Sequence, residues 1–297
     1  MNKLIDMHTH TNYSDGEYSP KELINLAKEQ NIKIMAITDH DTLEGLKNIP
    51  KNIKGIKVIP GIELTAKVPK GRMHILGYNI DINNEELNSK MSYLKNKSTN
   101  SVISLIEQLK KDEKIYFTHE EIKELINANH NLGRPDLAKL LIKKGYVSSV
   151  QEAFDKYLIK AYDKTRKVNK NLTYQECINL ILNSGGIPVL AHPHSLELDN
   201  EKLEKLLRKM IKLGLKGIEV YHSKNTKDEE NFYLELANKY NLLISGGSDY
   251  HGPTVKPDIF LGVGKNNLNI TKLSILNEIK RDYLKWTPNS SQKIKRT

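Results

Sequence analysis

Eight histidines of this 297-residue chain fall at or just after short apolar runs: His8, His10, His40, His74, His192, His194, His222 and His251. Carboxylates stand in the same places: Asp15, Asp39, Asp41, Glu63 and Asp249. Imidazole nitrogen and carboxylate oxygen are the donors of transition-metal sites, and one zinc ion takes about four of them. The candidate set His8, His10, Asp15, His40, Glu63, His74, His192, Asp249 and His251 is too large for one ion and predicts two or three divalent ions. A mixed nitrogen and oxygen set without thiolate favours Mn, Fe or Zn over Ca or Mg. Such a centre suits hydrolysis at phosphorus. Two ions about 3.5–4 Å apart activate a shared hydroxide and neutralise phosphoryl charge. His194 and His222 remain outside this set, and either could donate a proton to a leaving group or bind phosphate. Asp39 and Asp41 flank His40. One of them could orient an imidazole, or Asp41 could cap a helix.

These residues need elements that bring them to one place. Side chains two apart on a strand share a face, so His8 can converge with His10, and Asp249 with His251. Apolar, β-branched runs at residues 3–7, 34–38, 57–62, 73–78, 187–191, 217–221 and 242–245 read as buried parallel strands, alternating with amphipathic segments. In a parallel barrel the carboxyl ends of the strands meet at one rim, where active sites are built. Helix starts are marked by Ser19-Pro20-Lys21-Glu22 and by Thr173 with Glu176; Gly185 and Gly214 stand where helices should stop. Residues 83–170 carry no strand pattern. They read as helices at 86–111, 118–128, 137–144 and 149–157, the second and fourth opening on Thr118 with Glu121 and Ser149 with Glu152. The expected organisation is a barrel of residues 1–82 and 171–297 with a helical cap of residues 83–170. A last helix is expected at 273–283.

Composition narrows the partners. The net charge is +10, but only six of the 46 basic residues are Arg, the preferred reader of phosphate and bases. A Lys-rich solvated surface and a footprint for polyanions both remain open. No apolar run approaches the roughly 20 residues of a membrane span. Asp6 and the first histidines precede any signal-like apolar region, and the single Cys177, placed within a helix, cannot form an internal disulfide. A cytoplasmic chain with no membrane contact and no obligate protein partner is expected.

The ordered motifs resemble a known family. They are His8-Thr9-His10 with Tyr13-Ser14-Asp15-Gly16, Ile37-Thr38-Asp39-His40-Asp41, Pro60-Gly61-Ile62-Glu63, His74-Ile75-Leu76-Gly77-Tyr78, Ala191-His192-Pro193 and Gly247-Ser248-Asp249-Tyr250-His251-Gly252. Together, over roughly residues 1–265, they look like the PHP (polymerase and histidinol phosphatase) family. The resemblance implies a distorted seven-stranded α/β barrel with an inserted helical cap, a trinuclear metal centre and phosphoester hydrolysis. It implies one ion held by His8, His10, Glu63 and Asp249, a second by Glu63, His74 and His192, and a third by Asp15, His40 and His251. The bridging hydroxide would be held by Glu63 and Asp249.

Leu132-Gly133-Arg134-Pro135-Asp136-Leu137-Ala138 resembles the subfamily that removes the 3′-phosphate from 3′,5′-bisphosphonucleotides, with relatives that trim short RNA from its 5′ end. Asp136 stands where such relatives often carry His. The resemblance implies that Arg134 clamps phosphate, as its planar fork allows; a surface Arg before a helix is the alternative. The expected substrate is a small phosphorylated molecule, a nucleotide or short RNA. A phosphatase of another metabolite such as histidinol phosphate is the first rival, and a non-catalytic or polymerase-associated module the second.

Overall fold

The computed structural model describes residues 4–51, 53–128, 130–165 and 172–279. The apolar runs become strands because both their faces are covered. β1 is Leu4–Asp6, β2 Ile32–Ile37, β3 Lys57–Ala66, β4 Met73–Tyr78, β5 Ile187–Leu190, β6 Gly217–His222 and β7 Leu243–Gly247. They form one sheet in chain order, β1 to β7. The sheet curls into a nearly closed barrel whose edges meet through Met7 N to Gly246 O at 3.1 Å and Asp249 N to His8 O at 2.9 Å.

The helices are α1 Pro20–Glu29, α2 Glu44–Lys47, α3 Glu85–Glu113, α4 His119–Ile126, α5 Arg134–Lys143, α6 Val150–Ala153, α7 Ile159–Thr165, α8 Tyr174–Asn183, α9 Asn200–Lys212 and α10 Lys227–Lys239. Ser19 and Thr173 each cap their helix and receive the glutamate three residues on, as their spacing predicts. Thr118 does the same for α4. Ser149 caps α6, but Glu152 turns instead to the backbone and hydroxyl of Ser148. Cys177 is buried in α8.

One strand departs from the expected parallel order. β4 runs antiparallel to both β3 and β5. Residues 67–72 are far short of the dozen or more that a parallel crossover requires, so β3 and β4 close as a hairpin. This pairing carries β3 on to Ala66, so Glu63 lies inside the strand and does not end it.

The chain divides into two compact units, Met1–Asn88 with Leu172–Thr297, and Ser89–Asn171. Among its described residues the second unit holds no strand. Its core gathers Val102, Leu105, Leu109, Leu137, Leu141 and Leu158. The helix expected at 149–157 continues through a π-helical turn, Phe154–Leu158, into α7. α5 begins at Arg134, earlier than its apolar pattern suggests. Asp136 accepts from Gly133 N at 2.8 Å and lies 2.9 Å from His130 Nε2, which satisfies the helix start.

The segment after Gly264 looks polar, yet Leu268, Ile270, Leu273 and Ile275 join the apolar cluster of Met7, Ile59, Leu76 and Val189. Of the helix expected at 273–283, the described part holds a 3₁₀ turn, Ser274–Asn277; residues from 280 onward lie outside the described residues. No helix among the described residues is long and apolar enough to cross a membrane.

Candidate metal centre

The barrel positions the candidate side chains at one rim. His8 and His10 follow β1, and Thr9 between them bridges Tyr250 after β7. His40 follows β2 and bridges Glu63 on β3. His74 is the second residue of β4, and the reversal of that strand brings its beginning to the rim where the other strands end. His192 follows β5; Asp249 and His251 follow β7. Backbone conformation at the rim is unusual for non-glycine residues: φ is 21° at His192, 56° at Asp249 and 51° at Asp41. Such angles cost energy and persist where surrounding bonds hold them.

Glu63 is the hub. It is fully buried, and one of its oxygens, Oε2, faces His8 Nε2 at 3.2 Å, His10 Nε2 at 3.2 Å and His40 Nδ1 at 3.1 Å. Its other oxygen lies 2.9 Å from both His74 Nδ1 and His192 Nε2. Asp249 Oδ1 stands 3.6 Å from His8 Nε2 and 3.3 Å from His10 Nε2. Asp15, at the exposed mouth, lies 3.2 Å from His251 Nε2 and 3.7 Å from His10 Nδ1. Three overlapping groups could each hold an ion: His8, His10 and Glu63; His40, Glu63 and His74; His10, Asp15, His40 and His251.

Electrostatics follow from this crowding. Burial would push the carboxyl groups up, but the imidazoles around Glu63 and Asp249 outweigh it and hold both well below the usual carboxylate range. Burial pushes His40 down to about 3 and His192 to about 4, so both rings are neutral at physiological pH. His10 goes the other way. Burial disfavours its charge, yet Asp249 and Glu63 beside it raise it to about 9.

The donor chemistry fits divalent ions. His8 Nε2, His10 Nε2, His40 Nδ1 and Glu63 Oε2 are all buried without a hydrogen-bond partner. Two histidines have their outer nitrogen tied to a group that fixes the proton there. His251 Nδ1 lies 2.8 Å from Asp249 O, a pure acceptor. His192 Nδ1 lies 2.8 Å from Ser195 Oγ, whose own proton goes to Arg72 O at 2.9 Å. Each ring therefore turns an Nε2 lone pair inward when neutral. Inward lone pairs facing carboxylate oxygens repel unless a cation lies between them, which is what a metal ion supplies.

The other sequence-marked residues have different surroundings. His194 Nδ1 lies 2.9 Å from Asn225 Oδ1, and its ring centre is 5.0 Å from that of His222. His222 Nε2, also buried and unpartnered, is 3.5 Å from Asp249 Oδ2. Asp39 orients no imidazole through a hydrogen bond; it binds Thr11 N, Thr11 Oγ1 and Ser14 Oγ at 2.6–2.8 Å and shapes the loop that carries Asp15. Asp41 does not cap α2, whose N-cap is Leu43; it accepts from Thr65 N at 2.9 Å. Arg134 lies in the helical unit, its guanidinium 5.2 Å from the Phe154 ring and 4.4 Å from the Tyr162 ring.

Three charged residues escaped the sequence reading. Asp6, fully buried on β1, accepts from Ser248 N at 2.9 Å, Ser248 Oγ at 2.6 Å and Gly262 N at 2.8 Å. Lys256 donates to Asp249 Oδ2 at 2.6 Å. Glu219 is fully buried in β6 beside His8 and His192. The signal for Asp6 and Glu219 was available, since an acid inside a buried apolar strand needs a partner. Lys256 carried no such signal in a loop rich in polar residues.

The comparisons with known proteins agree with this geometry. The family profile described as PHP domain matches residues 6–239. The 5′-3′ exoribonuclease Rnm of Escherichia coli is 30% identical, over 84% of this chain and 86% of that protein. A phosphoribosyl 1,2-cyclic phosphate 1,2-diphosphodiesterase of Eggerthella lenta is 28% identical over 83% of this chain and 94% of that one. A 3′,5′-nucleoside bisphosphate phosphatase of Chromobacterium violaceum is 25% identical over 84% and 87%. The crystal structure of a protein assigned as a metal-dependent phosphoesterase, from Bifidobacterium adolescentis, superposes with a TM-score of 0.66 at 28% identity, covering 84% of this chain and 88% of that one.

Proposed function

This chain belongs to the PHP domain family, and from that premise we propose that it hydrolyses phosphate esters of nucleotides, either 3′,5′-bisphosphonucleotides or the 5′ end of short RNA. It is a metal-dependent phosphoesterase. The observation that carries the reading is the convergence of five imidazoles on the two oxygens of buried Glu63, with donor atoms left unpartnered. A carboxylate offers about four lone-pair directions, so hydrogen bonds alone do not account for this arrangement.

His8, His10, Asp15, His40, Glu63, His74, His192, Asp249 and His251 would hold two or three ions, with Mn, Fe and Zn the best match to the donors. When bound, such ions supply Lewis-acid neutralisation of phosphoryl charge and a nucleophile at neutral pH. Glu63 would serve as the bridge, since its two oxygens face different imidazole sets. Asp249 divides similarly, Oδ1 toward His8 and His10 and Oδ2 toward Lys256 and His222.

His222 differs from the ligand histidines in tautomer. Its Nδ1 accepts from Lys224 N at 3.1 Å, so the neutral ring carries its proton on Nε2. That proton points into the site, which suits donation to a leaving-group oxygen or a hydrogen bond to phosphate. His194 would have a secondary part, through its contact with the His222 ring. Arg134 would bind phosphate of the substrate. Its guanidinium lies 5.2 Å from the Phe154 ring centre and 4.4 Å from that of Tyr162; a cation–π contact uses the face of the group, whereas pairing with phosphate oxygens would use its edge.

A phosphate-release and product screen of the Mn-loaded chain tests the reading. Bisphosphonucleotides and 5′-phosphorylated short RNA should give the highest kcat/KM. Faster turnover of a ribose cyclic phosphate, the substrate class in the name of the Eggerthella relative, or of histidinol phosphate would displace it.

A further inference from the structure

We propose that Glu219 is a positioning residue that sets two metal-ligand histidines at once, fixing the proton of His8 and the backbone of His192. The proposal rests on the metal-centre reading above. Glu219 is the third residue of β6 and is fully buried, as is the His8 side chain. Oε1 lies 2.9 Å from His8 Nδ1, and Oε2 accepts from His192 N at 2.7 Å. One carboxylate thus ties a ligand that follows β1 to a ligand that follows β5.

Each bond has a distinct consequence. A carboxylate only accepts, so His8 carries a proton on Nδ1. Its Nε2, buried and unpartnered, then presents its lone pair toward Glu63 and Asp249 when an ion draws the ring neutral. The second bond falls on the residue whose φ of 21° is strained, and Pro193 follows it. Holding the His192 amide keeps the ring aimed so that Nε2 stands 2.9 Å from Glu63 Oε1.

The nearness of His222 to Glu219 depends on an irregularity. Residues three apart on a regular strand face opposite sides, which would separate Glu219 from His222. The register of β6 against β7 shifts between Glu219 and Tyr221, so both side chains reach the same end of the barrel interior. The buried charge is compensated as well. Burial would raise the Glu219 carboxyl, but His8, then His222 and His192, lower it below its ordinary value.

Glu219→Gln is an informative substitution because an amide offers only one acceptor. Whichever way it flips, an NH₂ faces either the His8 proton or the His192 amide, and one of the two bonds is lost. Zinc(II) is the probe, on the full chain. Three results are expected. The imidazole ¹⁵N spectrum of the wild-type chain shows a proton on His8 Nδ1, both metal-free and zinc-loaded. Titration calorimetry shows zinc affinity weakened on the order of 10- to 100-fold in Glu219→Gln. The His8 or His192 ring resonances of that variant move. A His8 Nδ1 without a proton overturns the proposal, whether or not the variant folds. So does wild-type zinc affinity in a folded Glu219→Gln. Glu63→Gln separates the two claims. If the wild type and Glu63→Gln bind zinc equally weakly, the metal reading fails, while the tautomer of the neutral His8 ring, read at high pH in the metal-free chain, still decides Glu219.

Discussion

At the scale of single residues, Glu63 concentrates the site. Its two oxygens face five imidazole nitrogens, and it is fully buried within β3. Glu63→Gln removes the negative charge and leaves one oxygen where two were needed. Metal content by elemental analysis and kcat/KM should fall together, by more than the roughly 10- to 100-fold that follows loss of an outer hydrogen-bond partner. Near wild-type turnover in that variant would show the bridge to be elsewhere. His10 makes a second prediction. Its pKa is raised to about 9 in the metal-free chain, so the folded state binds more protons than the unfolded state between about 6.5 and about 9. That stabilisation is complete below about 6.5 and is lost as the pH rises through about 9. An arriving ion must displace the same proton, so apparent metal affinity should climb with pH toward about 9. Calorimetry in buffers of different ionisation enthalpy should record proton release at neutral pH; binding with no proton release would contradict it.

At the scale of elements, two features aim the site: the β3–β4 hairpin and the seam between β1 and β7. The hairpin delivers Glu63 from a strand interior and His74 from a strand beginning to one rim. A parallel β4 would have carried His74 to the opposite end of the barrel. The seam needs Gly247. A Cβ there would press on the His8 backbone nitrogen and lie 2.6 Å from His8 Cβ and 2.8 Å from Asp6 Oδ1. Backbone cannot yield as a flexible side chain does, so Gly247→Ala should cost about 1–3 kcal/mol in urea unfolding, as overpacking does. It should also weaken metal binding, because His8 is the group displaced. Unchanged stability and metal content would mean that the seam tolerates more than this spacing allows.

At the scale of the whole molecule, the candidate ligands lie in the barrel unit and Arg134 in the helical unit. If the helical unit chooses the substrate, Arg134→Ala should keep its full metal complement by elemental analysis. Loss of a bidentate charged contact removes about 1.5–3 kcal/mol, or roughly 10- to 150-fold in kcat/KM if the contact persists in the transition state. The deficit should be greatest for substrates with a second phosphate, where a remote group contributes binding energy. Equal efficiency of the variant on bisphosphonucleotides and simple monoesters would make Arg134 a surface residue.

The sequence by itself determined the strand positions and the identity of the candidate ligands. Apolar runs, caps such as Ser19-Pro20 and histidines placed just after strands are local patterns, written in adjacent residues. Tertiary structure decided which side chains meet at the rim and through which atoms. The direction of β4 was implicit in its short connection, but the turn of His222 to the side of Glu219 depends on a register shift against β7 that its own residues do not encode. The tautomers were likewise out of reach. Whether His8, His192 and His251 present a lone pair and His222 a proton is set by the partner of the outer nitrogen. For His8 that partner is Glu219, far away along the chain, because a hydrogen bond depends on distance in space and carries no trace of separation in sequence.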